Sequence, residues 1–143
     1  MTTTWIIAAD SSRARILQVT DREKALAEID DLLNPEGRVD DRQLTTDAHA
    51  RFHGGGGSAP GSDREETSAA EHATELFAKR VGDYLDKART AHKYDRLHLV
   101  APPRFLGQLR KELGKEVQKL VTDELPKDLS WLNARDIQRH LKS

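Results

Sequence analysis

The sequence has no cysteine, no long apolar run and no excess of charge of one sign. The absence of cysteine removes disulfides, thiolate metal sites and cysteine nucleophiles together, and it favours a reducing compartment. No stretch approaches the ~20 apolar residues needed to span a bilayer, so no membrane partner is expected. The run Trp5 to Ala9 has no basic leader and is too short for a signal peptide, so the expected location is the cytoplasm. A net charge of -1 gives no global attraction to nucleic acid or to an anionic membrane, so any RNA contact has to come from a local patch.

What remains is a chain of 143 residues, 33% charged and 36% hydrophobic. That length suits one domain, residues 1–143, able to bury a core. Its apolar residues come in short clusters, which argues against full disorder. Thr4 to Ala9 is a continuous apolar run of strand length, as in a strand covered on both faces. Asp10-Ser11-Ser12 signals a turn, and Ala14 to Val19 follows as the second arm of a hairpin. Lys24 to Leu33 fits two periods: Leu26, Ile29 and Leu33 have helical spacing, while Ala25, Ala27 and Ile29 alternate. The neighbouring hairpin favours a third antiparallel strand.

From Asn34 to Glu66 the chain holds six of its nine glycines and little apolar material. A loop this long inside a small domain is usually functional or a linker. A long helix is expected next, with capping boxes at Ser62/Glu65 or Ser68/Glu71. Its predicted inner face is Ala73, Leu76, Phe77, Val81, Tyr84, Leu85 and Ala88. Asp95 to Ala101 reads as a strand. Pro103 follows Pro102 into a second helix with Phe105, Leu106, Leu109 and Leu113 inward. Val117 to Leu125 contains a last short strand, and Asn133 caps a final helix bearing Ile137 and Leu141. The fold class is α/β: a mixed five-stranded sheet with flanking helices, in the order β-β-β-loop-α-β-α-β-α.

Chemistry is sparse. His53-Gly54-Gly55-Gly56-Gly57-Ser58 is the most unusual local feature, because consecutive glycines expose backbone N–H groups and permit close approach to a phosphate or another backbone. Neither a P-loop nor a dinucleotide fingerprint is present, and no cofactor is implied. A flexible linker has the same composition. Asp47, His49 and His53 have metal-compatible side chains but no further clustered ligand, so no metal site is assigned. Asp10 is most simply a turn aspartate, Asp30 and Asp31 an exposed strand end, and His98 a satisfied strand histidine. Basic residues gather at Lys79, Arg80, Lys87, Arg89, Lys93 and Arg96, and again at Arg104, Arg110, Lys111, Lys115 and Lys119. Either group suits phosphate contact or a solvated helix face.

Several segments in series carry a resemblance: Asn34-Pro35-Glu36-Gly37-Arg38, Asp41-Arg42-Gln43-Leu44, Gly54–Gly57, Phe77-Ala78, Tyr94-Asp95-Arg96-Leu97, Leu99-Val100-Ala101-Pro102-Pro103-Arg104-Phe105-Leu106-Gly107, and Lys127-Asp128-Leu129. Together they resemble the bacterial host-attachment protein family, grouped with bacterial relatives of archaeal and eukaryotic release factors. The resemblance implies a ribonuclease-H-like sheet and makes 24–33 a strand. It also puts Gly54–Gly57 where those factors carry Gly-Gly-Gln, the element that enters the peptidyl-transferase centre. Arg51, His53, Gly54, Gly55, Gly56, Gly57 and Ser58 then become the candidate contacts to ribosome or tRNA. Peptidyl-tRNA ester hydrolysis is left open, since Ser58 follows the glycines and no glutamine lies between Gln43 and Gln108. The alternative is a non-catalytic module binding a protein partner in a stress or host-attachment pathway; a small-ester hydrolase is the weaker third. The small size also leaves room for a homo-oligomer in which a second subunit supplies surface.

Overall fold

The computed structural model describes residues 2–20, 25–35 and 60–142. Within them β1 (Thr3–Ala9) and β2 (Arg13–Thr20) form the expected hairpin, and β3 (Ala27–Leu33) adds antiparallel to β2. The helix α1 (Pro60–Thr90) crosses to β4 (Arg96–Val100), which lies parallel to β1. Next come α2 (Pro103–Glu112), the one-turn α3 (Lys115–Gln118), β5 (Val121–Leu125) parallel to β4, and α4 (Ala134–Lys142). The mixed sheet has the order β3-β2-β1-β4-β5.

The sheet is covered on both faces, which explains the unbroken apolar run of β1. Trp5, Ile7 and Ala9 face one way, with Ile16, Leu97 and Leu99, against Phe77, Val81 and Leu85 of α1 and Phe105 and Leu109 of α2. Ile6 and Ala8 face the other way, with Leu17 and Val100, against Leu129 and Ile137. Period-2 alternation thus feeds two cores from one strand. The capping of α4 is as expected: the Asp136 N–H donates to Asn133 Oδ1 at 2.8 Å.

Two details differ from the sequence expectations. The helix α1 begins at Pro60 and takes up the last residues assigned to the 34–66 loop. A proline fits the first helical position, where no intrahelical N–H bond is lost. Leu76, placed on the inner face, is 51% exposed. At 100° per residue it lies about 140° from the centre of the Phe77–Val81–Leu85 stripe, so the helix turns it to solvent. The last short strand lies within 117–125 as expected, at Val121–Leu125, and the fully buried Val117 precedes it in α3.

Candidate functional site

The residues singled out for RNA or ribosome contact, Arg51, His53, Gly54, Gly55, Gly56, Gly57 and Ser58, lie outside the described residues, as do Asp47 and His49. What the structure places is the frame around them. At the exit of β3, Asn34 is buried: its backbone N–H donates to Ser12 O at 2.9 Å and its side-chain amide to Ser11 O at 2.9 Å. The chain therefore leaves the sheet from a fixed point.

Beside that exit runs the outer face of α1. Arg80 donates through Nη1 to Leu33 O at 2.7 Å, and the Tyr84 hydroxyl donates to Asp30 Oδ2 at 2.6 Å. These two bonds hold the helix against the edge strand. They line a groove of about 370 Å³ formed by Leu76, Lys79, Arg80, Asp83, Tyr84 and Lys87. Three cations and one anion give it a positive balance, and Lys79 and Lys87 form no ion pair among the described residues. Partial burial, and then the bond to Asp30, push the Tyr84 phenol up to about 12. The same bond, helped by the Asp31 N–H, holds the Asp30 carboxyl below the usual range. Asp30, exposed near the end of β3 as expected, is thus also a clasp for α1.

The second basic group is arranged differently. Arg110 meets both carboxylate oxygens of Glu124 at 2.8 and 2.6 Å, Arg104 pairs with Glu71, and Lys119 pairs with Glu116. Near the end of α1, Arg89 is likewise taken up by Asp86. Carboxylates take up these cations, while Lys111 and Lys115, like Lys79 and Lys87, form no ion pair among the described residues; what sets the α1 groove apart is its place beside the exit of β3.

A polar knot lies where β1 ends. Asp10 Oδ1 accepts from the N–H and hydroxyl of Ser12, both at 2.8 Å, and from the Arg13 N–H at 2.9 Å. This is the turn role expected for Asp10. Its Oδ2 is 3.0 Å from the Ser130 hydroxyl, which also lies 2.7 Å from Asp128 Oδ1. Arg15 reaches the same segment, donating to the carbonyls of Ser130 and Leu132 while pairing with Glu28. The chemistry of this knot is structural: Asp10 and Arg15 hold the 128–132 turn against β1 and β2. Sequence reading missed it, because no local pattern links residues 120 positions apart. Among the described residues no group of three or more histidines, aspartates or glutamates could hold a metal ion. His98 departs from expectation: it is half-buried in β4, and its buried Nδ1 has no hydrogen-bond partner among the described residues.

Comparison with known proteins adds the following. The family model described as a protein required for attachment to host cells matches residues 5–141. An uncharacterized protein of Rickettsia prowazekii (strain Madrid E) is 38% identical over 85 residues, covering 57% of this chain and 57% of that protein. The matched part is therefore little more than half of the relative's length. Among solved structures, the type II variant of the Aquifex aeolicus Ppx/GppA phosphatase aligns with a TM-score of 0.43 at 13% identity, covering 87% of this chain and 36% of that one. No helix of the described residues is long and apolar enough to cross a membrane.

Proposed function

The chain belongs to the family of proteins required for attachment to host cells, and from that premise we propose that it is a release-factor-like domain that binds RNA, either on the ribosome or as tRNA. The glycine-rich segment with Arg51, His53 and Ser58 supplies one set of contacts, and the α1 groove supplies another. One observation carries the reading. Lys79, Arg80 and Lys87 line a groove whose wall, through Arg80 and Leu33, is also the exit of β3 toward the glycine segment. Phosphate oxygens suit Lys79 and Lys87, which form no ion pair among the described residues, and glycines allow a backbone to approach phosphate closely. The activity in this reading is binding. Ester hydrolysis has no glutamine to position water, since none lies between Gln43 and Gln108.

Ribosome co-sedimentation and tRNA filter binding at stepped salt test it. Wild type should bind with an affinity that falls as salt rises, and both a variant lacking 51–58 and Lys79→Glu/Lys87→Glu should lose most of that binding. Salt-independent association, or equal binding by all three proteins, would remove the proposal. A pull-down dominated by one non-ribosomal protein would favour the interaction-module alternative instead.

A further inference from the structure

The mixed sheet ends in two edge strands, β3 and β5. All five acidic residues of the described strands lie there: Glu28, Asp30 and Asp31 in β3, and Asp123 and Glu124 in β5. The inner strands β1, β2 and β4 carry none. The two edges also share a local pattern, an aspartate followed by an acid and a leucine: Asp30-Asp31-Leu32 and Asp123-Glu124-Leu125. In each case one extra residue stands just before the aspartate. Ile29 falls between the pairs Leu17–Glu28 and Ile16–Asp30, and Thr122 falls between Leu97–Val121 and His98–Asp123. Directly after that bulge the carboxylate bends back on its own chain. The Asp31 N–H donates to Asp30 Oδ1 at 2.9 Å, and the Glu124 N–H donates to Asp123 Oδ1 at 2.9 Å.

Both N–H groups point to the open side of the sheet. The bond from Asn34 N–H to Ser12 O sets the antiparallel phase, in which Asp30 and Leu32 face β2 while Asp31 and Leu33 face outward. On the other edge, the N–H groups of Leu97 and Ala101 donate to Leu120 O and Leu125 O, which turns alternate residues of β4 toward β5. Glu124, the register partner of Leu99, therefore presents its N–H away from β4. An incoming strand needs such outward donors, and an edge that leaves them free invites pairing. We propose that Asp30 and Asp123 are edge guards: each occupies the outward donor of its strand and so closes the sheet to strand addition by a second copy of this chain. β3 has a further cover, because Arg80 donates to the outward Leu33 O at 2.7 Å. β5 is therefore the edge that one substitution opens. Antiparallel pairing of two β5 strands about residue 123 sets Val121 against Leu125 and Thr122 against Glu124, neither of them a like-charge pair. Asp123 alone meets its own copy, so its cap and its charge act at one position.

The test separates cap from charge, uses the whole chain and needs no RNA, so it stands apart from the α1 groove. Sedimentation velocity over a range of concentrations compares wild type with Asp123→Val, Asp123→Asn and Thr122→Val. Valine at 123 removes both cap and charge, whereas asparagine loses the charge and keeps an oxygen to accept from the Glu124 N–H. Thr122→Val adds an apolar group next door and leaves the cap in place. Residues 122 and 123 are both exposed, and an unfolding midpoint checks that each variant folds. Asp123→Val should self-associate at least about tenfold more tightly than wild type, the worth of a freed hydrogen bond. The other two variants should match wild type. Amide hydrogen exchange should show new protection at Glu124 in the associated valine variant, which places the contact at β5. Equal association of Asp123→Asn and Asp123→Val would make charge the guard and remove the cap. The proposal is equally overturned by association of Thr122→Val, by no gain with Asp123→Val, or by a gain without protection at β5. A wild-type dimer already protected at Glu124 would also overturn it.

Discussion

The hydroxyl of Ser130 stands 3.0 Å from Asp10 Oδ2, joining the end of β1 to a turn 120 residues later. Ser130 is fully buried and Asp10 is 8% exposed, so water does not replace the bond if it is lost. Ser130→Ala should therefore cost about 1–3 kcal/mol, the penalty for leaving a buried charged acceptor one partner short. Asp10→Ala should cost more, because its Oδ1 also holds the Ser12 and Arg13 N–H groups. Urea unfolding measures both. The double variant should cost less than the two single losses added together, since both remove the same bond. Full additivity would show that the contact is energetically idle.

His92 adopts φ of 55°, in the left-handed region, immediately after α1. Its N–H donates to Arg89 O and the Lys93 N–H to Ala88 O, the paired bonds that close a helix with a left-handed residue. Glycine takes this conformation without the steric cost to a residue bearing Cβ, which is roughly 1–2 kcal/mol. Allowing for the greater freedom of glycine in the unfolded chain, His92→Gly should stabilise by up to ~1 kcal/mol. His92→Ala should not. Thermal melts of the two variants side by side decide the matter.

The two tyrosines offer a check at high pH. Burial holds the Tyr94 phenol at about 12, and its hydroxyl donates to Leu85 O at 2.7 Å. Tyr84 also stands at about 12 for the reasons already given. Both folded values lie above the ordinary value of 10. The fold thus favours the protonated phenols. Their stabilisation is complete below pH 10 and is lost as pH rises toward 12. Ultraviolet titration should show almost no phenolate at pH 10.5, and unfolding midpoints should fall between pH 10 and 12. Tyr84→Phe should make that fall shallower. Half-ionisation near pH 10 in the folded protein would contradict the geometry.

Much of the fold was legible because periodicity reports burial. Phe105, Leu106, Leu109 and Leu113 recur at helical spacing, and all four are buried. The run Trp5 to Ala9 lacks polar residues because both sheet faces are covered there. β3 was ambiguous for the opposite reason. As an edge strand it is mostly exposed on both sides, so neither period is imposed on its sequence. The site was less legible. Positive charge near Lys79 was visible, but not that Arg110 and Arg104 would be neutralised while Lys79 and Lys87 would not, since ion pairing depends on tertiary neighbours.

Two helical glycines separate packing from propensity. A Cβ on Gly82 would lie 2.8 Å from the backbone oxygen of Glu112, so α1 approaches the end of α2 too closely for any side chain. That oxygen is main chain and cannot swing aside. Gly82→Ala should therefore cost about 1–3 kcal/mol through a forced displacement of the helix pair. A Cβ on Gly107, in α2, would meet nothing within 4 Å. There the ordinary preference of helices for alanine over glycine is unopposed, and Gly107→Ala should stabilise by ~1 kcal/mol. Opposite signs in chemical unfolding would locate the tight contact between α1 and α2. The same contact fixes the helix that carries Lys79, Arg80 and Lys87, so Gly82→Ala should also weaken the salt-dependent RNA binding proposed above, while Gly107→Ala leaves it intact.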